Sequence, residues 1–303
     1  MVQSNGRFSL GDLSVDGRNY LFGCQGKWKD LSPVPLKLSP LLFAFALFTG
    51  SARASELRYF QPLDPIVTGV SAATGISLEL LKGDLAPETC RWCNPGSVDT
   101  SARNALRWND TNAANSLSNL AVYAFLPATV LGLGWVGAKQ ADHPENFVVD
   151  SLIVVEAVAV SGVIGTTAKY IAGRERPFVH ALPPDEKEQV ANPADNNVSF
   201  YSAHTSTAFA FVVSSGTIAS VRGYKTAPWV WGLGLPLASL TGYLRIAADK
   251  HYLTDVLTGA AVGAAVGYFT VQLHRTSGSK NEGVQVTALP IQNGGRLEFA
   301  WRL

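Results

Sequence analysis

Apolar positions along the chain collect into long runs, and polar positions collect between them. Residues 64–81 are moderately apolar and rich in small side chains. Residues 117–137 are nearly free of charge, and 147–168 are apolar but contain Asp150 and Glu156. The runs 205–221, 228–244 and 253–273 come next, the last with Asp255 near its start. A helix needs roughly 17–25 apolar residues to cross a bilayer. By that measure 117–137 is the best span, and 205–221 and 228–244 stand at the short limit. Ala, Gly and Ser recur in these runs, as close helix contacts in membranes prefer, and Gly259, Gly263 and Gly267 form a small-residue seam. The pattern predicts an all-α bundle, transmembrane, with about five or six helices. Buried helices of a soluble bundle are the alternative.

The two ends read differently. Residues 1–36 are polar, glycine-rich and aperiodic, as a disordered or over-extended start would be. Residues 37–54 carry a basic residue, an apolar stretch and Ala52-Arg53-Ala54, the pattern of a secretory signal or signal anchor. The predicted domain core is 55–275. In the tail, 276–303, residues 284–292 read as a strand and Asn293-Gly294-Gly295 as a turn, and Leu297, Phe299, Trp301 and Leu303 alternate with polar or small residues. Period two predicts a small C-terminal β-hairpin.

Composition narrows the class. Hydrophobic residues make up 47% and charged residues only 16%, with a mean hydropathy of +0.13. Soluble domains are nearer a quarter charged, so the balance favours a membrane partner. The net charge of +1 gives no electrostatic case for nucleic acid. Cys90 and Cys93 form a C-x2-C pair with no second Cys/His pair at zinc spacing, so no metal is expected. A local disulfide, if the loop faces the periplasm, and two unpaired thiols both remain open.

Three polar clusters carry the chemistry, each at the end of an apolar run. The first is Lys169 to Pro177, with Lys169 and Arg176 two helical turns apart and Pro177 ending the helix. Arg174 lies off that face. In the second, Tyr201 to Thr205, Ser202 can cap a helix whose first N–H groups form an anion pocket. In the third, Arg245 to Asp255, His251 and Asp255 are one helical turn apart, so a carboxylate there can hold one ring proton and leave the other nitrogen's lone pair free. Cations to hold an oxyanion, one imidazole to attack and one to protonate a leaving group suit phosphoryl transfer. Asp249 and Lys250 fit no motif position and read as solvated. His143, His180 and His274 read as surface residues.

The clusters resemble the signature motifs of the type 2 phosphatidic acid phosphatase (PAP2) superfamily, which includes class A acid phosphatases and vanadium haloperoxidases. Its pattern is K-x6-R-P, then P-S-G-H, then S-R-x5-H-x3-D. Lys169, Arg176 and Pro177 match the first; Ser202 and His204 match the second, with Tyr201 for proline and Ala203 for glycine; Arg245, His251 and Asp255 match the third, with Leu244 for serine. The resemblance covers roughly 147–273. It implies His251 as nucleophile forming a phosphohistidine, His204 as general acid, Asp255 as orienter, and Lys169, Arg176, Ser202, Ala203 and Arg245 as phosphate ligands. Ala203 keeps the backbone N–H that glycine would supply, provided its dihedrals are helical.

The resemblance and the residues together imply a metal-independent phosphatase for lipid phosphate or pyrophosphate monoesters, with no cofactor, although vanadate fits the same pocket. Phosphatidic acid, phosphatidylglycerol phosphate, undecaprenyl pyrophosphate and lipid A phosphates are all family substrates. Alternatives are a soluble periplasmic class A-like acid phosphatase and a vanadium-dependent haloperoxidase. For the side, 38–51 taken as a span and 64–81 as non-crossing put all three clusters on the periplasmic face of an inner membrane, with Arg222, Lys225 and Arg275 inside.

Overall fold

The computed structural model describes residues 56–59, 63–187, 190 and 192–276, and the backbone of 283–291 and 294–302. The expectations for 1–36 and 37–54 lie outside these residues. The main helices are α1 (Asp64–Leu80), α2 (Ser97–Leu106), α3 (Thr111–Gln140), α4 (Asn146–Ala172), α5 (Ala203–Val221), α6 (Ala227–Ala247) and α7 (Leu253–Leu273). Within α3, Ala121–Phe125 is a π-helical turn. The strands β1 (Glu56–Leu57) and β2 (Arg275–Thr276) pair antiparallel, and β3 (Gly283–Ile291) pairs with β4 (Gly294–Arg302) as the predicted hairpin, Ile291 opposite Gly294. Among the described residues the fold is therefore all-α apart from these two small antiparallel pairs.

Helix α5 is the centre of the bundle. Its inward positions are mostly Ala, Ser, Thr, Gly and Val, and most of them are buried. α7, α6, α4 and α3 pack around it. The glycine seam explains how α7 comes so close: a Cβ on Gly259, Gly263 or Gly267 would stand 2.6 Å from Ser202 O, 2.1 Å from Ser206 O and 2.8 Å from Ala210 O. Those atoms are α5 backbone and its cap, which cannot step aside. Gly263→Ala is therefore expected to destabilise the bundle by at least ~1–3 kcal/mol, the usual cost of overpacking. Gly162→Ala, where a Cβ meets nothing within 4 Å, is the control and should be neutral. Thermal unfolding of the detergent-solubilised protein separates the two.

α3, α4 and α7 are each long and apolar enough to cross a membrane. At 1.5 Å per residue the shortest of them, α7, spans ~31 Å, a full hydrocarbon core. The outer surface carries large exposed apolar side chains, among them Ile66, Val70, Ile76, Tyr123, Phe125, Trp229, Leu257 and Phe269, as lipid-facing positions do. The acids within the apolar runs are satisfied internally. Asp150 pairs with Arg222 at 2.8 Å and accepts from Tyr224 Oη at 2.9 Å. Glu156 accepts from Thr68 Oγ1 at 2.9 Å and pairs with His274 at 3.2 Å.

Two expectations are corrected here. His274 is not a surface residue: it is buried between Glu156 and Asp64, which lies 3.4 Å away. His143 and His180 are exposed as expected, His180 also pairing with Glu175 at 2.9 Å. Helix α1 is the second correction. It starts at Asp64 beside His274, runs parallel to α4 through Thr68–Glu156 and Leu78 O–Tyr170 Oη, and ends where Lys82 pairs with Asp195. It thus runs the height of the bundle, which the assumption of a non-crossing 64–81 segment missed. The reason is that only one stripe of α1 touches protein. No residue of α1 is buried, so its small and polar positions diluted the apolar signal.

Candidate active site

All three clusters meet at one end of the bundle, where α1, α4 and α6 finish and α3, α5 and α7 begin. Helix α4 closes at Gly173, which takes φ 55° in the left-handed cap that glycine adopts freely. Lys169 lies in the last turn before it, but the helix does not run on to Pro177 as expected: Arg176 is extended (φ -74°, ψ 152°) and Pro177 opens a separate short turn, Pro177–His180, because the left-handed Gly173 has already ended α4. Ser202 caps α5 with Oγ 3.4 Å from Thr205 N, and Ala203 is the first helical residue. The two non-glycine residues with positive φ among the described residues are Asp142 and Asp249, so Ala203 meets the helical condition that substitution for glycine required.

His251 sits in the turn between α6 and α7. That turn is reversed at Asp249, φ 57°, and its carboxylate is gripped by Arg103 through two contacts of 2.6 Å and by Arg107 at 3.2 Å. Asp249 is buried rather than solvated, because α2 supplies Arg103 and the residue that caps its C-terminus is Arg107. Lys250 lies over the Phe178 ring, 4.5 Å away. A cleft of about 510 Å³ lined by Arg103, Arg107, Phe178, Asp249 and Lys250 opens beside the site.

His251 is 2% exposed, and its Nδ1 lies 2.7 Å from Ser199 O. A carbonyl only accepts, so Nδ1 carries the proton and Nε2 presents a lone pair. Asp255 is 3.8 Å from Nδ1, beyond a hydrogen bond. Its oxygens are engaged by Ser199 Oγ (2.6 Å), Tyr252 N (2.9 Å) and Arg174. Asp255 thus orients the imidazole through Ser199 and also caps its own helix. The expected direct contact between Asp255 and His251 is replaced by this two-step one.

His204 Nε2 lies 2.7 Å from Asn119 Oδ1, and its ring meets Tyr123 edge-on at 5.3 Å. Arg245 donates to Asn115 Oδ1 (2.7 Å) and Ser118 Oγ (3.0 Å). Arg176 reaches Lys250 O at 3.4 Å and Asp195 at 3.6 Å. The Nε–H groups of Arg176 and Arg245 are both buried without an acceptor. Lys169, Arg176 and Arg245 act on one another electrostatically, and all three act on both imidazoles. Burial, reinforced by Arg176, Arg245 and Lys169, holds the His251 imidazolium well below the ordinary histidine value. Burial likewise lowers Arg176, with Asp195 opposing. Among the described residues, no group of three His, Cys, Asp or Glu gathers as a metal set. The arrangement is a cationic, hydrogen-bond-donating cradle between two imidazoles, suited to an oxyanion.

Residues 150–279 match the family model of the PAP2 superfamily. Among curated relatives, an undecaprenyl-diphosphatase from Sulfolobus acidocaldarius is 26% identical over 51% of this chain and 65% of its own length. A lipid A 1-phosphatase from Porphyromonas gingivalis is 36% identical over 45% of this chain and 25% of its own. Human phospholipid phosphatase 2 is 34% identical over 37% of this chain and 46% of its own. The chain thus spans between a quarter and just under two thirds of these relatives' lengths. A transmembrane PAP2-type phosphatidylglycerolphosphate phosphatase of Bacillus subtilis, solved by crystallography, is 19% identical, with a TM-score of 0.42 over 66% of this chain and 94% of that one.

The PAP2 motif positions are therefore gathered in one site, and sequence reading missed what supports them. Arg174, set aside as off the Lys169 face, is 1% exposed and bridges Asp255 and Asp99, the latter at 2.6 Å. Asn115, Ser118 and Asn119 come from α3 and Ser199 from the approach to α5. None matches a PAP2 motif position, and polar residues at the start of an apolar helix were the sole available hint. Tyr201, in place of the motif proline, is buried against Gly165 of α4.

Proposed function

We propose that this chain is a membrane-embedded phosphatase that hydrolyses lipid phosphate or pyrophosphate monoesters through a phosphohistidine, without a metal. The observation that carries the proposal is the pair of buried, acceptorless Nε–H donors of Arg176 and Arg245 beside Lys169 and the His251 lone pair. In the first step His251 Nε2 attacks phosphorus, the P–O bond to the lipid breaks, and its electron pair leaves with the lipid oxygen. His204 donates the proton that neutralises that oxygen, with Asn119 holding its other ring nitrogen. In the second step water attacks phosphorus while His204 takes a proton from it, the P–N bond breaks, and Nε2 recovers its lone pair as phosphate leaves. Lys169, Arg176, Arg245 and the N–H of Ala203 offset charge on the non-bridging oxygens.

A lipid leaving group is supported by the surroundings of His204. Its ring rests on Tyr123, which is 65% exposed on α3, and Leu117, Leu120 and Phe125 are exposed on the same helix. The relatives' names, a diphosphatase of undecaprenyl and phosphatases of lipid A and phospholipids, point the same way. The test is phosphate release by purified protein from a panel of lipid phosphates and a water-soluble ester. Lipid esters are expected to be preferred, with activity retained in EDTA and competition by vanadate. A strong preference for the soluble ester, or loss in EDTA, overturns the reading.

For orientation, we place the site on the periplasmic side of a bacterial inner membrane. Cys90 and Cys93 form a disulfide in the loop at the site end, and disulfides belong to oxidising compartments. Arg58, Arg222, Lys225 and Arg275 lie at the other end, as the positive-inside rule asks of cytoplasmic loops. Because α1 runs the height of the bundle, an exporting 37–54 segment would give the opposite side. This orientation therefore requires that 37–54 leave the start of α1 in the cytoplasm. A reporter fused after Gly223 is expected to read as cytoplasmic and one inserted within 182–196 as periplasmic. The reverse pattern moves the site to the cytoplasm.

A further inference from the structure

The disulfide-bearing loop binds across the exit of α4 and the approach to α5. Arg91 N and Trp92 N both donate to Gly173 O, at 2.9 and 3.3 Å, and Glu175 N donates to Trp92 O at 3.1 Å. The Arg91 guanidinium donates to Tyr170 O (3.2 Å) and Ile171 O (2.9 Å), carbonyls left over at the end of α4. A Cβ on Gly173 would stand 3.1 Å from the Arg91 side chain, so glycine there serves the loop as well as the helix cap. On the α5 side, Asn197 Nδ2 donates to Pro87 O (2.9 Å) and Glu88 O (3.0 Å).

These contacts hold the Trp92 ring 3.9 Å from the centre of the Arg174 guanidinium. Tyr252 faces the same guanidinium at 4.4 Å. Arg174 is therefore clamped between two aromatic rings, while Asp99, Asp255 and Thr254 accept from its two terminal nitrogens. Asp99 is itself fixed by Thr254 N (2.9 Å) and Thr254 Oγ1 (2.8 Å). From Arg174 the contacts continue through Asp255 to Ser199 Oγ, and from Ser199 O to His251 Nδ1. Trp92 touches no reacting group and is 40% exposed, yet it stands at the outer end of this chain of contacts.

We infer that Trp92 is a positioning residue for the nucleophile: clamped on Arg174 by the Cys90–Cys93 loop, it holds Asp255 and Ser199 so that His251 keeps its proton on Nδ1. A guanidinium stripped of one stacking face admits water and tilts, and the planar fork no longer pins Asp255. Ser199 Oγ then loses its fixed acceptor, and Ser199 O its alignment on the imidazole. Substrate binding should be little affected, because Lys169, Arg176 and Arg245 hold the anion without contacting Trp92. The effect on rate rests on the phosphatase proposal; the effect on the imidazole does not.

The experiment compares the full-length protein with Trp92→Ala and Trp92→Phe in detergent, measuring kcat, KM and the ¹⁵N resonances of His251, identified by their loss in His251→Ala. Trp92→Ala is expected to lower kcat about tenfold with KM unchanged, as loss of one desolvated cation–π contact would. The wild-type His251 should show a single Nδ1–H tautomer, Trp92→Ala a mixture of both, and Trp92→Phe a return towards the wild-type pattern. An unchanged tautomer in a folded Trp92→Ala, or no recovery in Trp92→Phe, overturns the inference. If Trp92→Ala does not fold, Cys90→Ser/Cys93→Ser unties the loop while keeping the ring, and must give the tautomer mixture. A wild-type protein without phosphatase activity defeats the proposed function and leaves the imidazole result to decide this one.

Discussion

His251→Ala is expected to abolish phosphate release, by on the order of 10⁴-fold or more, since removing a covalent nucleophile removes the route itself. The lone pair on Nε2 depends on Nδ1 holding the proton toward Ser199 O, and no other described side chain in the site offers an equivalent nucleophile. An acid-labile phosphoenzyme should be trapped in the wild type and absent from the variant. The same residue fixes the acid limb of the pH profile. Burial and the neighbouring cations favour the neutral ring, and the neutral ring is the nucleophile. As pH falls, kcat/KM should therefore persist through the ordinary histidine value of 6.5 and decline only below it. A limb at or above 6.5, or full activity in His251→Ala, contradicts the assignment.

His204→Ala is expected to separate substrates by their leaving groups. A lipid alkoxide needs a proton as the P–O bond breaks, so lipid esters should lose ~10²–10⁴-fold, the range of general acid catalysis. An aryl ester whose phenolate leaves unaided should lose far less in the first step. Its phosphoenzyme should then accumulate, because activation of water in the second step also uses His204. A burst of phenolate followed by slow turnover is the signature. Equal losses for both ester types would remove the division of roles between the two imidazoles while leaving His251 in place.

Both predictions rest on side chains that the chain itself advertises, and much of the fold was equally legible. Each long apolar run became a helix with ends within a few residues of those expected, because apolarity over that length specifies burial or lipid contact whatever the partner. The hairpin was readable from period two and an Asn-Gly-Gly turn. The motif residues were readable because each lies at a helix end, where a polar side chain ahead of an apolar run has few other reasons to be. Lys169 with Arg176, and His251 with Asp255, were paired by helical spacing, yet α4 ends at Ala172 and α7 starts at Leu253, so Arg176 and His251 stand outside those helices and tertiary packing sets their places.

Spacing along one helix says nothing about partners on another. Arg174 meets Asp99 across 75 residues and Asp255 across 81, His204 meets Asn119 across 85, and Arg103 meets Asp249 across 146. Those contacts exist because α2, α3, α5 and α7 begin where α4 and α6 end. The buried place of His274 and the full height of α1 were hidden for the same reason, since each depends on what α4 presents to it. The sequence by itself determined where the long apolar helices lie and which polar side chains gather at their ends. Tertiary packing alone decided that Ser199, not Asp255, holds the His251 proton: 3.8 Å against 2.7 Å is set by where α7 starts against the approach to α5, a distance no one-chain periodicity encodes.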